Sequence, residues 1–325
     1  MNERTDSVLG IDIGGTKCAV SLGDRSGNTI DKLAFPTREP EGPGQAIENL
    51  LGAAEQLIER HPECALLGTG ISCGSPLDPE RGIIQSPANL QSWIDVPIVR
   101  IFEDRFKFPA FLENDANAGA LAEHRFGAGR GYRHLVFITF GTGFGSGLIL
   151  NNQLYRGATT YAGEIGHVRL NERGPVGCRK HGSAEGFCSG GGIARLARYR
   201  LRQKFDSTPE FHTTLAPGGT IPHDLTTEQI ANAAKAGDPF AREIFEISGR
   251  YLGRALAILL DILNPEVIII GSIFVRCESL LRPSMQTELE KEALPQTLAA
   301  CKIVAAQLDE RIGDLAAQSI AWSNI

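Results

Sequence analysis

The sequence lacks any apolar run of membrane length. Its best stretch, residues 255–260, is cut by Asp261, far short of the roughly 20 residues a bilayer requires. It has no stripe of Lys and Arg, and its net charge is −6, so a nucleic-acid partner has no electrostatic support. A secretory leader is not expected, since residues 1–7 are polar and Leu9 already begins a strand. Seven cysteines, Cys18, Cys64, Cys73, Cys178, Cys188, Cys277 and Cys301, are odd in number and scattered. Free thiols in a reducing cytoplasm are the simplest account of that pattern. Low-complexity segments and flexible linkers are also missing. So is the P-loop pattern G-x-x-x-x-G-K-[ST]. What is present is ordinary for a globular protein: 325 residues, 42% hydrophobic and 22% charged. That length suggests two domains.

The pattern of apolar residues predicts an α/β layered organisation. Residues 9–13 read as a short buried strand, 14–16 as a turn, and 17–22 and 28–35 as two further strands. Ile47, Leu50, Leu51, Ala54, Leu57 and Ile58 then recur at helical spacing. Residues 65–72 and 110–113 read as strands again. Three hairpin-linked strands followed by alternating helices and strands suggest a layered domain. A second unit is expected to begin near Gly119, with strands at 135–140 and 148–150 around the run Gly141, Thr142, Gly143, Phe144, Gly145, Ser146, Gly147. This echoes the opening of the chain and reads as an internal duplication, although glycine hairpins are common. Residues 156–192 form a long glycine-rich stretch without periodicity, a kind of loop that is usually functional or disordered. Helices are predicted over 226–236, 239–263 and 313–322, with a buried strand at 267–270 after Asn264 and Pro265. The partly apolar helix at 239–263 could pair with a second copy, although its apolar face is more simply core.

Two glycine turns can present backbone N–H groups to an anion. Gly14, Gly15 and Thr16 form one, and residues 141–147 the other. Glycine is needed where a Cβ would block a phosphate. Thr16, Lys17 and Thr142 add two hydroxyls and an ammonium. Asp12, two residues before the first glycine, could hold Mg²⁺ directly or through water. Each turn taken alone also fits a plain β-hairpin. The alternating glycines do not follow the dinucleotide fingerprint G-x-G-x-x-G.

With these motifs in view, the chain resembles the ROK family of sugar kinases and repressors, within the wider sugar kinase, actin and Hsp70 fold. The run Leu9, Gly10, Ile11, Asp12, Ile13, Gly14, Gly15, Thr16, Lys17 resembles the family's first phosphate motif. Phe140 to Gly147 resembles the second, and residues 264–271 resemble the adenosine-side motif. The resemblance runs from about residue 9 to 321. It implies a two-domain actin-like ATPase (ribonuclease H-like) fold with a cleft between the domains. Residues 1–118 with 312–325 would form the smaller domain and 119–311 the larger. It also implies ATP and Mg²⁺ as cofactors, a hexose as substrate, and a homo-oligomer, a dimer. Family repressors carry an added N-terminal helix-turn-helix. Only eight residues precede Leu9, so DNA reading is not expected.

Phosphoryl transfer to an alcohol needs alignment, charge neutralisation and a carboxylate to accept the hydroxyl proton. Asp115 follows a predicted strand end, from which it would project into the cleft. By resemblance it is the catalytic base and Asn114 a sugar contact; the same two residues also suit a helix cap. Glu164, His167 and Glu185 match further sugar contacts, whose carboxylates and imidazole can pair with hydroxyls. Asn89 matches a loop that closes on the sugar. Gly271 and Ser272 fall on the adenosine side, where many relatives have three glycines. Relatives also bind structural zinc through a histidine matching His167 and three cysteines in C-x-C-G-x-x-G-C-x-E. Here Val176 and Ser183 replace two of those cysteines and only Cys178 remains. Structural zinc wants four ligands. The loop is therefore expected to be zinc-free, the alternative set being His167, Cys178, His181 and Cys188. Glucose, mannose, fructose, allose and N-acetylated hexosamines all remain open as substrates. A non-catalytic sugar-binding protein is the other class to weigh.

Overall fold

The computed structural model describes residues 4–208, 210–308 and 311–325. Its first sheet contains β1 (Thr5–Ile13), β2 (Lys17–Asp24), β3 (Thr29–Pro36), β4 (Cys64–Cys73) and β7 (Ala110–Asn114). Helix α1 (Pro43–Arg60), the small hairpin of β5 (Leu77–Asp78) with β6 (Ile83–Ile84), and α2 (Ile98–Phe106) lie between those strands in sequence. The second sheet contains β8 (Leu135–Phe140), β9 (Phe144–Leu150), β10 (Gln153–Leu154), β13 (Val267–Ile270) and β14 (Lys302–Ala305). The strand orders are β3-β2-β1-β4-β7 and β10-β9-β8-β13-β14. In both sheets the first three strands form antiparallel hairpins and the last two add in parallel. The echo between the two glycine turns is thus a repeated topology.

Two helices separate the sheets. Helix α3 (Asp115–Phe126) rests on the second sheet and α10 (Ile312–Asn324) on the first. Glycines set how closely α10 can approach. A Cβ on Gly70 of β4 would lie 1.9 Å from the Ala317 carbonyl oxygen, and one on Gly10 of β1 would lie 2.9 Å from Gln318. Under α3, a Cβ on Gly147 of β9 would lie 2.5 Å from the Ala116 carbonyl oxygen. Between the layers Ala118, Leu121, Phe137, Ile269, Leu315 and Ile320 share one core.

The remaining elements cover the second sheet. They are the hairpin of β11 (Val176–Gly177) and β12 (Lys180–His181), then α4 (Ala184–Cys188), α5 (Gly190–Ser207), α6 (Thr227–Lys235), α7 (Pro239–Leu263), α8 (Ile273–Glu292) and α9 (Pro295–Ala300). The long glycine-rich stretch is therefore partly ordered. Gly190, Gly191 and Gly192 open α5, because Ser189 caps it and its Oγ accepts from the Gly192 N–H at 2.9 Å. Helix α7 buries its apolar face, including Phe245, Leu252, Leu256 and Leu260, so that face is core. Gly119 lies inside α3. Among the described residues no helix is long and apolar enough to cross a membrane.

Candidate active site

The first glycine turn joins β1 to β2. The Gly14 N–H donates to the Lys17 carbonyl at 3.1 Å, and Thr37 braces the turn from β3, its hydroxyl donating to the Gly14 carbonyl at 2.5 Å. The loop bearing Asn89 lies directly on the turn, since a Cβ on Gly15 would fall 2.5 Å from the Asn89 carbonyl oxygen. Thr16 and Lys17 are exposed there. Gly10, Ile11 and Ile13 are corrected from nucleotide contacts to supports. Ile11 and Ile13 are buried in the sheet, and Gly10 makes room for Gln318. Of that run Asp12, with the turn, faces the cleft.

Asp12 and Asp115 line one cavity of about 300 Å³, together with Ser72, Thr139, Gly271, Ser272, Arg276 and Gly313. Asp12 is the second-to-last residue of β1 and Asp115 the first residue of α3. Asn114 is the cap of that helix, its Oδ1 accepting from the Asn117 N–H at 2.8 Å. The capping geometry points Asp115 off the end of β7. Behind it Glu113 is buried, accepting from the Asn114 N–H at 2.9 Å and from Arg156 at 2.7 Å.

The electrostatics of this cavity are one-sided. Burial pushes the Asp12 carboxyl up to about 6, with further help from the negative charges of Asp314 and Asp115 and opposition from Lys32 and Lys17. Asp115 is also raised, first by its removal from bulk water and further by Glu164, against the pull of the Ala116 N–H. Asp115 is nonetheless exposed to solvent in the cleft, which moderates that rise. A raised carboxylate is a better proton acceptor near neutral pH.

The second glycine turn joins β8 to β9. Gly141 and Thr142 line a larger cleft of about 750 Å³ with Gly190, Gly191, Thr227, Glu228, Asn232, Lys235 and Ile273. Ser272 and Arg276 line both cavities, so the two adjoin. The Gly190 N–H donates to the Gly141 carbonyl at 2.8 Å, which ties the turn to the start of α5. Ser272 holds φ 58 and ψ −112, a conformation that suits glycine. Phe144, Ser146 and Gly147 are corrected from nucleotide contacts. Phe144 packs edge-on to Phe140 with centroids 5.5 Å apart, and the Ser146 hydroxyl donates to the Gly163 carbonyl at 2.7 Å. That bond fixes the segment carrying Glu164. Gly143 stays on the turn, where a Cβ would lie 3.3 Å from Glu185 Oε2, and Gly145 lies just inside β9, paired with Thr139.

Glu164 and His167 are neighbours, with Nε2 3.8 Å from Oε2. Glu185 Oε1 accepts from the Cys178 N–H at 2.9 Å. The Cys178 thiol is pushed up to about 12 by burial, then by Glu185 and Glu164. Glu164, Glu185 and Cys178 therefore share one locality, and Glu164 also reaches Asp115 electrostatically. The other two thiol and imidazole candidates point elsewhere. Cys188 is buried in the larger core, 3.7 Å from the Ser248 carbonyl oxygen, and His181 pairs with the Gly174 carbonyl at 3.1 Å. Among the described residues no three His, Cys, Asp or Glu side chains gather to hold one metal ion. Ser183, at a lost cysteine position, donates to the Gly177 carbonyl at 2.8 Å and accepts from the Gly186 N–H at 3.1 Å.

Several site residues carried no local signal. Asp314 and Gly313 reach Asp12 from the far end of the chain, and Lys32 bonds Asp314 at 2.5 Å. Thr227, Glu228, Asn232 and Lys235 lie on a helix that reads as ordinary amphipathic surface, and Arg276 lies on α8 (Ile273–Glu292), which the sequence did not signal. Only Thr37, two residues past a predicted strand, lay within reach of sequence reasoning.

The sequence model of the ROK family matches residues 8–323. A glucokinase of Halalkalibacterium halodurans is 32% identical over 310 residues, covering 94% of this chain and 92% of that protein. The structure of a ROK hexokinase from Thermus thermophilus superimposes with a TM-score of 0.82 at 30% identity, covering 98% of both chains. A ROK glucokinase from Streptomyces griseus, in complex with glucose and AMPPNP, gives 0.76 at 29%, covering 97% of this chain and 99% of that one. With two sheets of matching topology, a cleft between them and similarity along almost its whole length, this chain belongs to the ROK family and has its actin-like ATPase fold.

Proposed function

We propose that this protein transfers the γ-phosphoryl group of ATP to a hexose hydroxyl, the 6-hydroxyl of glucose or a related hexose. The observation that carries this reading is that the two cavities adjoin. Asp12 and Asp115 line one, the second glycine turn lines the other, and Ser272 and Arg276 belong to both. The glucokinase relative and the structure bound to glucose and AMPPNP support the substrate class.

In this reading the larger cleft takes the adenosine. Glu228, Asn232 and Lys235 offer polar groups to it, and Arg276 meets the phosphates where the cavities join. The N–H groups of both glycine turns hold the phosphate tail. Asp115 accepts the hydroxyl proton as the sugar oxygen attacks in line. Asn89, Asn114, Glu164, His167 and Glu185 orient the sugar through its hydroxyls. Closure of the lobes, residues 1–118 with 312–325 over 119–311, excludes water as a competing acceptor. Mg²⁺ would sit beside Asp12, whose carboxyl is raised by burial and then by the charges of Asp314 and Asp115, an unfavourable field that a divalent cation would offset. Bound with ATP, it would neutralise phosphate charge.

The reading extends to the loop over 176–188, which we take to be zinc-free. Its support is the pair of hydrogen bonds at Ser183, which brace the hairpin where a ligand cysteine would stand. A cytoplasmic location and a dimer complete the proposal. Seven free cysteines suit the first, and exposed Ile262 and Leu294, on residues joined through Asp261, offer an apolar patch for the second.

The deciding experiment is ADP release across a panel of hexoses, with Asp115→Asn beside the wild type. The expected result is turnover on at least one hexose and a fall in kcat of about 10²- to 10⁴-fold in the variant, with sugar affinity retained. Near wild-type kcat in the variant would reject Asp115 as the base. Sugar binding without turnover on any hexose would favour a non-catalytic binder.

A further inference from the structure

A separate cavity of about 520 Å³ lies outside both parts of the cleft. Arg25, Ser26 and Asn28 from the β2–β3 turn line it, with Arg125 from the end of α3, Arg130 just beyond, and Arg311 at the start of α10. None of its lining residues borders the cavities that hold Asp12, Asp115 or the second glycine turn. Four arginines thus border one space, and among the described residues no carboxylate lines it. Arg25 meets Asp6 at a loose 3.6 Å with both side chains exposed. The nearest acid on the turn, Asp24, is occupied by the Ser26 and Asn28 N–H groups at 2.8 and 3.0 Å.

Two of the arginines are held stiffly. The guanidinium carbons of Arg25 and Arg125 lie 4.9 and 5.8 Å from the centroid of the same Trp322 ring. Arg125 also lies over Phe126 at 5.5 Å. Stacking on aromatic faces suits guanidinium groups and removes rotamer freedom before any ligand arrives. It also forces like charges together, and burial with the nearby charge of Arg25 disfavours the protonated form of Arg125. An anion with several oxygens would satisfy these forks and cancel the repulsion.

We infer that this cavity is a binding site for a small phosphate-bearing anion, distinct from the nucleotide cleft. The size fits a pyrophosphate or a sugar phosphate, well within the range of small-molecule sites. The net charge of −6 and the confinement of the arginines to one concavity disfavour an extended polyanion. The bound anion would join the first sheet to the ends of both helices that separate the lobes.

The test is calorimetric titration of the full chain with inorganic pyrophosphate at physiological salt, with the nucleotide cleft saturated by AMPPNP. The wild type is expected to bind one equivalent that the analogue does not displace. Arg130→Gln with Arg311→Gln, both exposed positions, is expected to weaken that binding by about tenfold or more and leave AMPPNP affinity unchanged. Arg125→Gln should do the same, although its stacking makes it the less neutral change. A parallel titration with a hexose 6-phosphate, sugar and analogue both saturating, tells which of the two phosphate sources is preferred. Asp309 and Glu310, which precede Arg311 in sequence, lie outside the described residues. Neutralisation of the cluster by them would leave the wild type without analogue-resistant binding. That result, or equal binding by the exposed double variant, overturns the inference.

Discussion

Asp12→Asn in metal-free protein measures the electrostatic cost built into the cleft. Burial, then Asp314 and Asp115, lift the Asp12 carboxyl from 3.8 to about 6. A group whose folded pKa exceeds its unfolded value favours folding below the unfolded pKa and loses that contribution as pH rises through the folded one. Asp12 should therefore destabilise the metal-free protein progressively from about pH 4 to pH 6 and by a constant amount above. A rise of roughly two units corresponds to about 3 kcal/mol, a ceiling because water reaches one edge of the carboxyl. Asparagine keeps the shape and removes the charge. Urea unfolding in EDTA should then find the variant little different from wild type at pH 4, ahead by about half the full amount at pH 5, and more stable by up to about 3 kcal/mol at pH 8. The same variant should lose most of its turnover, since it loses its hold on Mg²⁺. A stability difference that does not change with pH, or a wild type more stable at pH 8, would refute the reasoning.

Other outcomes follow from single residues. Ser272→Gly should add about 1 kcal/mol of stability, read as a higher urea midpoint at unchanged slope, because φ 58 with ψ −112 strains any side chain and glycine's own entropic cost offsets only part of that gain; a loss of stability would contradict it. Arg276→Gln should lower kcat/KM for ATP by about 10- to 100-fold, the range expected for a charged hydrogen-bonding partner, and leave the KM for the hexose within about twofold. Unchanged ATP kinetics would remove Arg276 from the phosphate path. Zinc analysis of purified protein should find well under one equivalent per chain, with Ser183→Ala less stable by about 1–3 kcal/mol because its buried partners are left unpaired. One equivalent of zinc would reverse the reading of this loop.

The elements legible in the sequence are those whose signal is local. The apolar run at 9–13 and the stripe from Ile47 to Ile58 correspond to β1 and α1. Helix α8 was not legible. Pro283 sits inside it and Cys277 departs from helical φ, so its stripe of Phe274, Leu281, Met285 and Leu289 is interrupted where a reader would look for continuity. Helix α5 hid behind three glycines that normally argue for a loop; Ser189 as cap and the tie to Gly141 hold them in the helix. Ser146 illustrates the opposite error, since its place in a glycine run suggested a phosphate contact and its hydroxyl is spent on Gly163.

By itself the sequence determined where turns, caps and buried strands fall, because backbone preference and side-chain periodicity act over a few residues. Hence Asp12 before its glycines, Asn114 with Asp115 at a strand end, and the loss of two ligand cysteines could all be read directly. Tertiary structure alone decided that Asp314 crowds Asp12, that Arg276 spans two cavities, and that Arg25, Arg125, Arg130 and Arg311 meet. Those groups are separated by up to nearly the whole chain. Their charges interact only after glycines on three strands let α10 settle against the first sheet, and no local spacing encodes that approach.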